Sequence, residues 1–544
     1  MWFDTCKEKH VACEPRKHRI VPTRLLHWTG KILQLRSGSQ IALDARYATL
    51  SHCWGVDPDI LKLEQGNVDD FSLSIPVEHL SQTFQDALLI LGCVGLEYLW
   101  IDSLCIIQDS AEDWERESAL MSTVYGFSQL TIAASHARDG SEGCFTSRKL
   151  SCPAIIQLLT HRNSTATCNY YDGREGAHFR RMEERFEDLP LTKRAWAFQE
   201  RVLSPRVIFF NHTEISWLCA KGASIESNPS VYLTDGPMTH RGQDWQEIVE
   251  QYSGCDLTYE KDRLVALSGL AKRQHETLDD IYLAGMWGQK IEDQLCWYIE
   301  RGLYPRSLPP NEAHIPSWSW ACGKGQIKFA SPWNDTYPNS SNFYRSKYDV
   351  PSIADANGIP VGSGGDFDGA YQCSKFNVTT VVRTNITLAT SDPFGAVRRG
   401  ELTLQCRGLL AGIILKCKMD DENGWERTIV LRIGAELFGG RLHLDDGGEF
   451  PIPYYFLPIQ SYTERTAKHF TDDLFGLLIL PTGLKRGEYR RGGMFKLSRN
   501  YFSTQMKDGR FEDILKDLDL SDGDSSLSWL CSDSEEKEKL LTIV

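Results

Sequence analysis

Apolar and polar residues alternate in blocks over 99–135, and the blocks predict a strand, a helix and a second strand. The first block, 99–107, is apolar at most positions and predicts a buried strand followed by a polar loop. Ser110 precedes Asp113 by three residues, the spacing of a capping box, which predicts a helix start. Helically spaced apolar residues follow, and 130–134 predicts the next strand. Such a unit implies parallel pairing in an α/β sheet.

The same alternation extends this sheet in both directions. We predict one mainly parallel sheet with strands at 47–53, 99–107, 129–135 and 206–210, flanked by helices near 81–92, 113–126 and 195–203. Residues 136–190 mix glycines with charge and predict an insertion with some strands. Ligands of parallel sheets bind beyond the carboxyl ends of the strands. Polar residues at those ends are therefore candidate site residues.

The later part of the chain changes character twice. Apolar periods after residue 216 predict helices, one of them over 281–298, and short apolar runs after 313 predict a β-rich barrel or sandwich. Trp318 and Trp320 are expected in its core. The predicted organisation is an N-terminal segment (1–45), an α/β domain (46–215), a helical region (216–312), a β-rich region (313–511) and an acidic, partly disordered tail (512–544) with a short helix at 512–518.

Composition narrows the class of protein. The net charge is −14, from 59 basic and 73 acidic residues, and no basic face for nucleic acid is evident, so we expect no nucleic-acid partner. No apolar run reaches the length of a membrane helix, so we expect no membrane partner. The 16 cysteines are scattered without a C-x-x-C pair or a secretory leader. We therefore expect a cytoplasmic protein with reduced, mostly buried cysteines.

The N-terminal segment carries a short run of metal-ligating residue types. Cys6, His10 and Cys13 have compact spacing and His18 follows them. Four such side chains would close a tetrahedral zinc site. Only three are closely spaced and no second pair follows, so we expect no bound metal.

Three blocks of sequence resemble a known family. They are Y-A-T-L-S-H-C-W-G at 47–55, L-W-I-D-S-L-C-I-I-Q-D at 99–109 and R-A-W-A-F-Q-E at 194–200. In this order they resemble the heterokaryon-incompatibility (HET) domain of filamentous fungi, and ordered blocks are more specific than one motif. The resemblance implies a self/non-self recognition protein that triggers cell death. Related proteins often carry more chain ahead of these blocks, which leaves the natural start open.

The HET domain is itself similar to the Toll/interleukin-1-receptor (TIR) fold, a flavodoxin-like α/β module. In that fold a strand ending in serine precedes a helix carrying W-x-x-x-E, and Ser135 and Trp196-x-x-x-Glu200 stand in those places here. TIR members that hydrolyse NAD use this glutamate as the essential carboxylate, so the resemblance makes Glu200 the catalytic candidate. Extra residues before the helix, and the lack of a cysteine after Trp196, depart from the pattern and change the expected pocket.

The implied chemistry suits a carboxylate. Cleavage between nicotinamide and ribose passes through an oxocarbenium-like state, which a carboxylate near the ribose hydroxyls stabilises. Trp196 lies one helical turn before Glu200, so both project from one face and the indole would stack on nicotinamide. The structural alternative places Trp196 in the core and pairs Glu200 with Arg194, Arg201 or Arg206.

Polar strand ends supply the rest of the predicted site. With Glu200, the residues predicted to bind the nucleotide are Ser51, His52, Trp54, Gly55, Asp102, Cys105, Asp109 and Trp196. A hydrolase would instead use Cys105 or Ser51 as nucleophile, His52 as base and Asp102 to orient it, yet no G-x-S-x-G turn surrounds either nucleophile. The carboxylates of Asp102 and Asp109 are suited either to bind a cation or to cap the helix that follows, and we favour capping. The Rossmann and P-loop motifs are absent, which disfavours those enzymes.

Two functions therefore stay open. The first is a cell-death effector that consumes NAD, as a substrate and not a cofactor. The second is a signalling module without chemistry, which assembles with copies of itself or with a partner receptor. A Glu200 exposed in an open cleft would favour the enzyme, and a Glu200 buried against arginine would favour the module.

Overall fold

The computed structural model of the chain divides into two compact units. The first comprises Met1–Asp279 with Phe394–Ala396, and the second comprises Asp280–Pro393 with Val397–Val544. The structure describes residues 2–14, 20–55, 60–147, 154–159, 165–170, 186, 188–233, 244–301, 315–330, 372–406, 409–414, 426–433, 436–445, 454–465, 469–502 and 539–544. His18 and the predicted helix at 512–518 lie outside these ranges.

The first unit combines helices with short strands. Its helices are α1 (Trp2–Lys9), α2 (Val68–Leu73), α3 (Gln82–Cys93), α4 (Asp102–Cys105), α5 (Ala111–Phe127), α6 (Ala195–Leu203), α7 (Trp245–Ser253) and α8 (Ser268–Leu278). Its strands are β1 (Arg24–Trp28), β2 (Leu33–Ser37), β3 (Tyr47–Ser51), β4 (Tyr98–Trp100), β5 (Leu130–Ala133), β6 (Ala154–Leu159), β7 (Thr165–Tyr170), β8 (Arg206–Phe210), β9 (Ile215–Cys219), β10 (Gly222–Ile225) and β11 (Asn228–Leu233).

A nine-stranded sheet forms the centre of this unit, in the order β11-β10-β9-β8-β5-β3-β4-β1-β2. Its central strands β8, β5, β3 and β4 pair in parallel. Antiparallel strands extend both flanks. The four predicted strands do share one sheet, but the sheet is mixed and not mainly parallel. Short turns join β1 to β2 and join β8 to β11 in succession, and such turns permit only antiparallel pairing, while β1 also pairs antiparallel with β4.

The amphipathic helices lie close to where the sequence predicts them. α3, α5 and α6 follow β3, β4 and β5 and connect each parallel strand to the next. At the start of α5 the backbone N–H of Asp113 donates to Ser110 Oγ at 3.2 Å, which confirms the predicted cap. The predicted insertion contains the antiparallel hairpin of β6 and β7.

The predicted strand over 99–107 is wrong beyond Trp100. The chain turns at Asp102, whose Oδ1 accepts a hydrogen bond from the Ser103 N–H at 2.8 Å, and α4 follows. This local bond offers the backbone an alternative to the sheet ladder. Leu104 and Cys105 are fully buried although they lie in a helix. Burial on all sides removes the periodicity that distinguishes a strand from a helix.

The second unit is built mostly of strands. It contains β12 (Tyr282–Leu283), β13 (Met286–Trp287), α9 (Ile291–Leu295), β14 (Trp297–Arg301), β15 (Gln326–Phe329), β16 (Gln372–Asn377), β17 (Thr379–Leu388), β18 (Val397–Cys406), β19 (Ala411–Ile414), β20 (Glu426–Ile433), β21 (Glu436–Leu444), β22 (Tyr455–Arg465), β23 (His469–Pro481), β24 (Glu488–Phe502) and β25 (Lys539–Ile543).

A ten-stranded sheet dominates this unit and confirms the β-rich prediction. Seven strands follow the order β16-β22-β23-β24-β21-β20-β19, while β25 joins β24 to the β17–β18 pair. Trp318 and Trp320 are fully buried, as predicted. The segment 539–543, which the sequence places in an acidic tail, forms β25 because Leu541 and Ile543 are apolar and buried.

The predicted helix over 281–298 is also wrong. A tight turn at Ala284 and Gly285, with φ of 47° and 99°, joins β12 to β13, and only α9 is helical before β14 begins. Aromatic residues favour strands, and their helical spacing here is coincidental. None of the helices in the described part of the chain has the length and apolar character that a membrane crossing requires.

Candidate functional site at the carboxyl edge of the parallel strands

A polar cluster lies where the central parallel strands end. β3 ends at Ser51, β4 is followed by Asp102, and α6 carries Glu200 to the same edge. We use the name Glu200 cluster for the side chains that meet or lie close together there, which are Ser51, His52, Trp54, Asp102, Tyr125, Arg194 and Glu200. The topology therefore brings together residues from four separate parts of the sequence.

Glu200 is the central group of the cluster. Its side chain accepts a hydrogen bond from the Ser51 hydroxyl, and the residue is 7% exposed. Burial raises the pKa of Glu200 to about 7, while the Ser51 hydrogen bond and the Arg194 charge act in the opposite direction. A carboxyl that titrates near neutral pH can both take and give a proton. Glu200 is thus a carboxyl group in a fixed position with a pKa that suits proton transfer near neutral pH.

Asp102 joins His52 and Trp54 at the end of β4. The Trp54 indole N–H donates to Asp102 Oδ2 at 2.9 Å, and His52 Nδ1 lies 3.8 Å from Asp102 Oδ1. Burial lowers the pKa of His52 to about 4, and the nearby Asp102 charge opposes this only in part. The imidazole is therefore neutral at physiological pH. Its Nε2 has no hydrogen-bond partner among the described residues.

Two residues of the cluster were not among the predicted site residues. Arg194 donates to the backbone carbonyl of His52 and holds the end of β3 against the start of α6. Tyr125 projects from α5, its hydroxyl donates to the Leu50 carbonyl at 3.3 Å, and its proximity to Glu200 lowers the pKa of that carboxyl. Arg194 opens the R-A-W-A-F-Q-E block, a signal that could have identified it. Tyr125 gives no such signal, because its position in a helical period is that of a core residue.

The structure places four predicted residues outside the cluster. Cys105 is buried, and burial raises its pKa to about 12, so it is a neutral thiol. Asp109 is exposed and accepts a bond from the Gln65 N–H at 2.9 Å. The Trp196 ring meets Trp114 edge-on, with centroids 6.4 Å apart.

The fourth, Gly55, has a φ of +94°, and a Cβ there would lie 2.9 Å from Asp139 Cβ. Only glycine adopts this backbone conformation and fits this space without strain.

The hydrogen bond of Ser51 disfavours the hydrolase arrangement, because the Ser51 hydroxyl donates to Glu200 and not to His52.

The space beside Ser51 is small. A cavity of about 20 Å³ lies between β3, β5, β8 and α6, with Ser51, Thr131 and Phe198 in its wall. This volume suits about one water molecule and no aromatic ring. Within the cluster, Glu200 is 7% exposed, whereas the Asp102 side chain is 22% exposed.

The fold and the cluster define an α/β domain with a buried polar centre at the carboxyl edge of its parallel strands. Residues 47–200 match the family model described as Heterokaryon incompatibility protein (HET). This segment is a HET domain, as the three sequence blocks predict, and it implies a role in fungal heterokaryon incompatibility. The match does not extend to TIR domains, and that likeness stays a prediction. No curated protein and no solved structure matches the chain.

Proposed function

We propose that this chain is a cell-death effector of heterokaryon incompatibility whose HET domain cleaves the nicotinamide–ribose bond of NAD or a related nucleotide. The observation that carries the proposal is the position of Glu200. It is a buried carboxyl with a pKa near 7, fixed by Ser51 at the carboxyl edge of parallel strands. Strongly shifted carboxyls in such places are candidates for catalysis.

The order of the parallel strands supports a nucleotide site. In chain order β3, β4, β5 and β8 are first to fourth, and their spatial order is second, first, third, fourth. This is the beginning of the flavodoxin-like order, in which ligands bind where the connections diverge, between the first and third strands. Ser51 ends the first of these strands, so the Glu200 cluster lies beside that point. The order also fits the TIR likeness that W-x-x-x-E suggests.

The proposed step needs only a carboxylate and water. The bond between ribose C1′ and the pyridinium nitrogen breaks, its electron pair leaves with neutral nicotinamide, and water adds to C1′. Ionised Glu200 stabilises the positive charge that develops on the ribose. The proton lost by the water passes through Glu200 or directly to solvent. Because the ionised form acts, the rate should rise with pH through about 7, the pKa of Glu200.

Of the two arrangements contrasted in the sequence analysis, an exposed and a buried Glu200, the structure shows the buried one, and this favours the second candidate, a module without chemistry. Glu200 is buried close to the positive charge of Arg194, and the adjoining cavity takes about one water. In that case the cluster holds α6 on the sheet, and the domain acts through protein contacts. The enzyme requires an opening of the cluster that exposes Glu200 to a nucleotide.

Nicotinamide release from NAD by the purified full chain distinguishes the candidates. The wild type at high protein concentration is compared with Glu200→Gln, which keeps size and hydrogen bonding while removing the charge. We expect the variant to lose about 10²–10³-fold in rate. Glu115→Gln, an exposed carboxyl on α5, is the matched control and should retain full activity.

Two other results of this experiment would count against the proposal. Nicotinamide release that is unchanged in a folded Glu200→Gln variant would exclude Glu200 as the catalytic group. A wild type that leaves NAD and related nucleotides intact, yet kills cells on expression as strongly as Glu200→Gln does, would select the module.

A further inference from the structure

The fold completes a ligand set that the N-terminal sequence leaves one member short. Cys6 and His10 belong to α1 and the residue after it, Cys13 follows one turn later, and Cys219 ends β9. One ligand atom from each of these four residues lies within 4.8 Å of the others. We use the name Cys₃His cluster for this set. The absence of a fourth ligand, on which we based the expectation of no bound metal, therefore does not hold.

We propose that the Cys₃His cluster is a structural zinc site. Three thiolates and one imidazole are a common ligand set of closed tetrahedral zinc sites, with Zn–S near 2.3 Å and hence sulfur atoms about 3.8 Å apart. Cys219 Sγ lies 3.6 Å from His10 Nδ1, close to such an edge. A soft, sulfur-rich tetrahedral set selects zinc over calcium, magnesium or manganese.

The surroundings of the three sulfur atoms are those of metal-bound thiolates. All three cysteines are 0–1% exposed, and none of them is in a disulfide. The Ala220 backbone N–H donates to Cys13 Sγ at 3.2 Å, and Arg206 Nε donates to Cys6 Sγ at 3.2 Å. Hydrogen bonds of this kind orient metal ligands and stabilise their charge.

Charge balance gives a second, independent argument. Arg206 is 1% exposed, and its hydrogen bonds go to Cys6 Sγ and the Gln129 carbonyl, with no carboxylate partner in the described part of the chain. A buried guanidinium requires a compensating negative charge. Zinc with three thiolates and neutral imidazole carries one net negative charge, which matches one arginine. Three neutral thiols would leave Arg206 uncompensated.

The site would fasten the N-terminal helix to the sheet. Cys219 lies at the turn between β9 and β10, and α1 packs there with Trp2 stacked on Trp217 at 6.3 Å. α1 is eight residues long, and helices of this length are marginal on their own. Zinc would therefore hold α1 in place. This inference is independent of the proposed function, because no ligand belongs to the Glu200 cluster.

Metal analysis of the full chain tests the proposal. The protein is purified without chelators under reducing conditions, and zinc is measured by elemental analysis. We expect about one zinc per chain, and near none in Cys219→Ser. Cys93→Ser is the matched control, since Cys93 is an exposed cysteine of the same unit, and it should keep its zinc. A metal-free wild type that also fails to bind added zinc would overturn the proposal, as would equal zinc in Cys219→Ser.

A second set of variants guards against misfolding of Cys219→Ser. His10 is partly exposed, so the substitution His10→Ala leaves the core packing intact. The His10→Ala variant should release zinc to a competing chelator at a lower chelator concentration than the wild type does. His10→Cys should retain metal. With Co²⁺ as the probe, the thiolate-to-cobalt absorption of His10→Cys should be stronger than that of the wild type, because the variant has four thiolate ligands and the wild type has three. Identical chelator competition and cobalt spectra in all three proteins would show that His10 is not a ligand and would overturn the four-ligand site.

Discussion

At the scale of single residues, burial away from water determines the protonation states of the polar groups in the HET domain. Burial keeps Glu200 partly protonated near neutral pH and keeps His52 neutral. The W-x-x-x-E spacing predicts that Glu200 lies on a helix near the parallel strands, and the structure agrees. The sequence also assigns Ser51 and Glu200 to one site, but the hydrogen bond between them could not be predicted, because the two residues are 149 positions apart. Motifs locate residues along the chain, whereas burial depends on the packing of whole elements.

Glu200 should make the stability of the first unit depend on pH. An unfolded glutamate ionises near pH 4.5 and Glu200 near 7 in the folded chain, so the folded state binds the proton more tightly. The wild type should therefore lose free energy of unfolding, on the order of 3 kcal/mol, between pH 4.5 and about 7, and lose no more above that. Glu200→Gln does not titrate and avoids this loss.

Thermal unfolding at pH 5 and pH 8 measures the effect. The Tm of Glu200→Gln should rise relative to the wild type as the pH rises, while Glu115→Gln follows the wild type. Both variants keep His52, whose lowered pKa removes stability as the pH falls from 6.5 towards 4, so that contribution cancels in the comparison. A Tm difference that does not change with pH would contradict the assignment.

Arg206 offers a second test at this scale, resting on the zinc proposal. Arg206→Gln keeps a donor near Cys6 Sγ but removes the charge that balances the site. We expect zinc affinity to fall about 10–100-fold, as for other partners of metal ligands. Competition with a chromophoric chelator measures this. Arg138→Gln, an exposed arginine of the same unit, should leave the affinity unchanged, and equal affinities in both variants would contradict the role of Arg206.

At the scale of elements, the sequence predicts amphipathic segments well and fully buried ones poorly. α3 and α5 each have a face exposed to solvent, which gives their residues a helical period. The segment that follows β4 is buried on all sides, and the strand predicted there is a helix instead. The N-terminal motif shows the same limit, because its fourth ligand, Cys219, stands 209 residues after His10.

The cap of α5 should be measurable. Ser110→Ala removes the acceptor for the Asp113 N–H and should destabilise the first turn of α5 by about 1 kcal/mol. Amide hydrogen exchange in that turn should then accelerate about fivefold if opening is local. Ser74→Ala, an exposed serine after α2, is the control and should leave α5 unchanged. Unaltered exchange in Ser110→Ala would show that the cap contributes nothing.

At the scale of the whole molecule, each unit has its own sheet, and each sheet joins segments that are distant in sequence. β25 pairs with β18 and β24 although more than a hundred residues separate β18 from β25. A local pattern can mark such strands but not their partners. This is why the β-rich character of the second unit was predictable and its strand order was not.

The last strand should be required for the stability of the second unit. Ile543 is fully buried, whereas Leu540 in the same strand is 41% exposed. Ile543→Ala should cost about 2–5 kcal/mol through lost burial and the cavity it leaves. Leu540→Ala should cost little. Thermal unfolding of the two variants, with hydrogen exchange to locate the change in the second unit, measures this, and equal effects would contradict the packing of β25.

Because strands from outside the HET match complete the nine-stranded sheet, the limits chosen for a fragment of this chain decide whether the sheet stays intact. The HET match, 47–200, includes only β3, β4 and β5 of the nine strands. A fragment cut at those limits would leave the outer edges of β4 and β5 unpaired, since β1 and β8 lie beyond it. Exposed apolar edges recruit other chains and aggregate. A fragment that runs from Trp2 to Leu233 keeps all nine strands, so the boundaries of the family match are poor places to cut the chain.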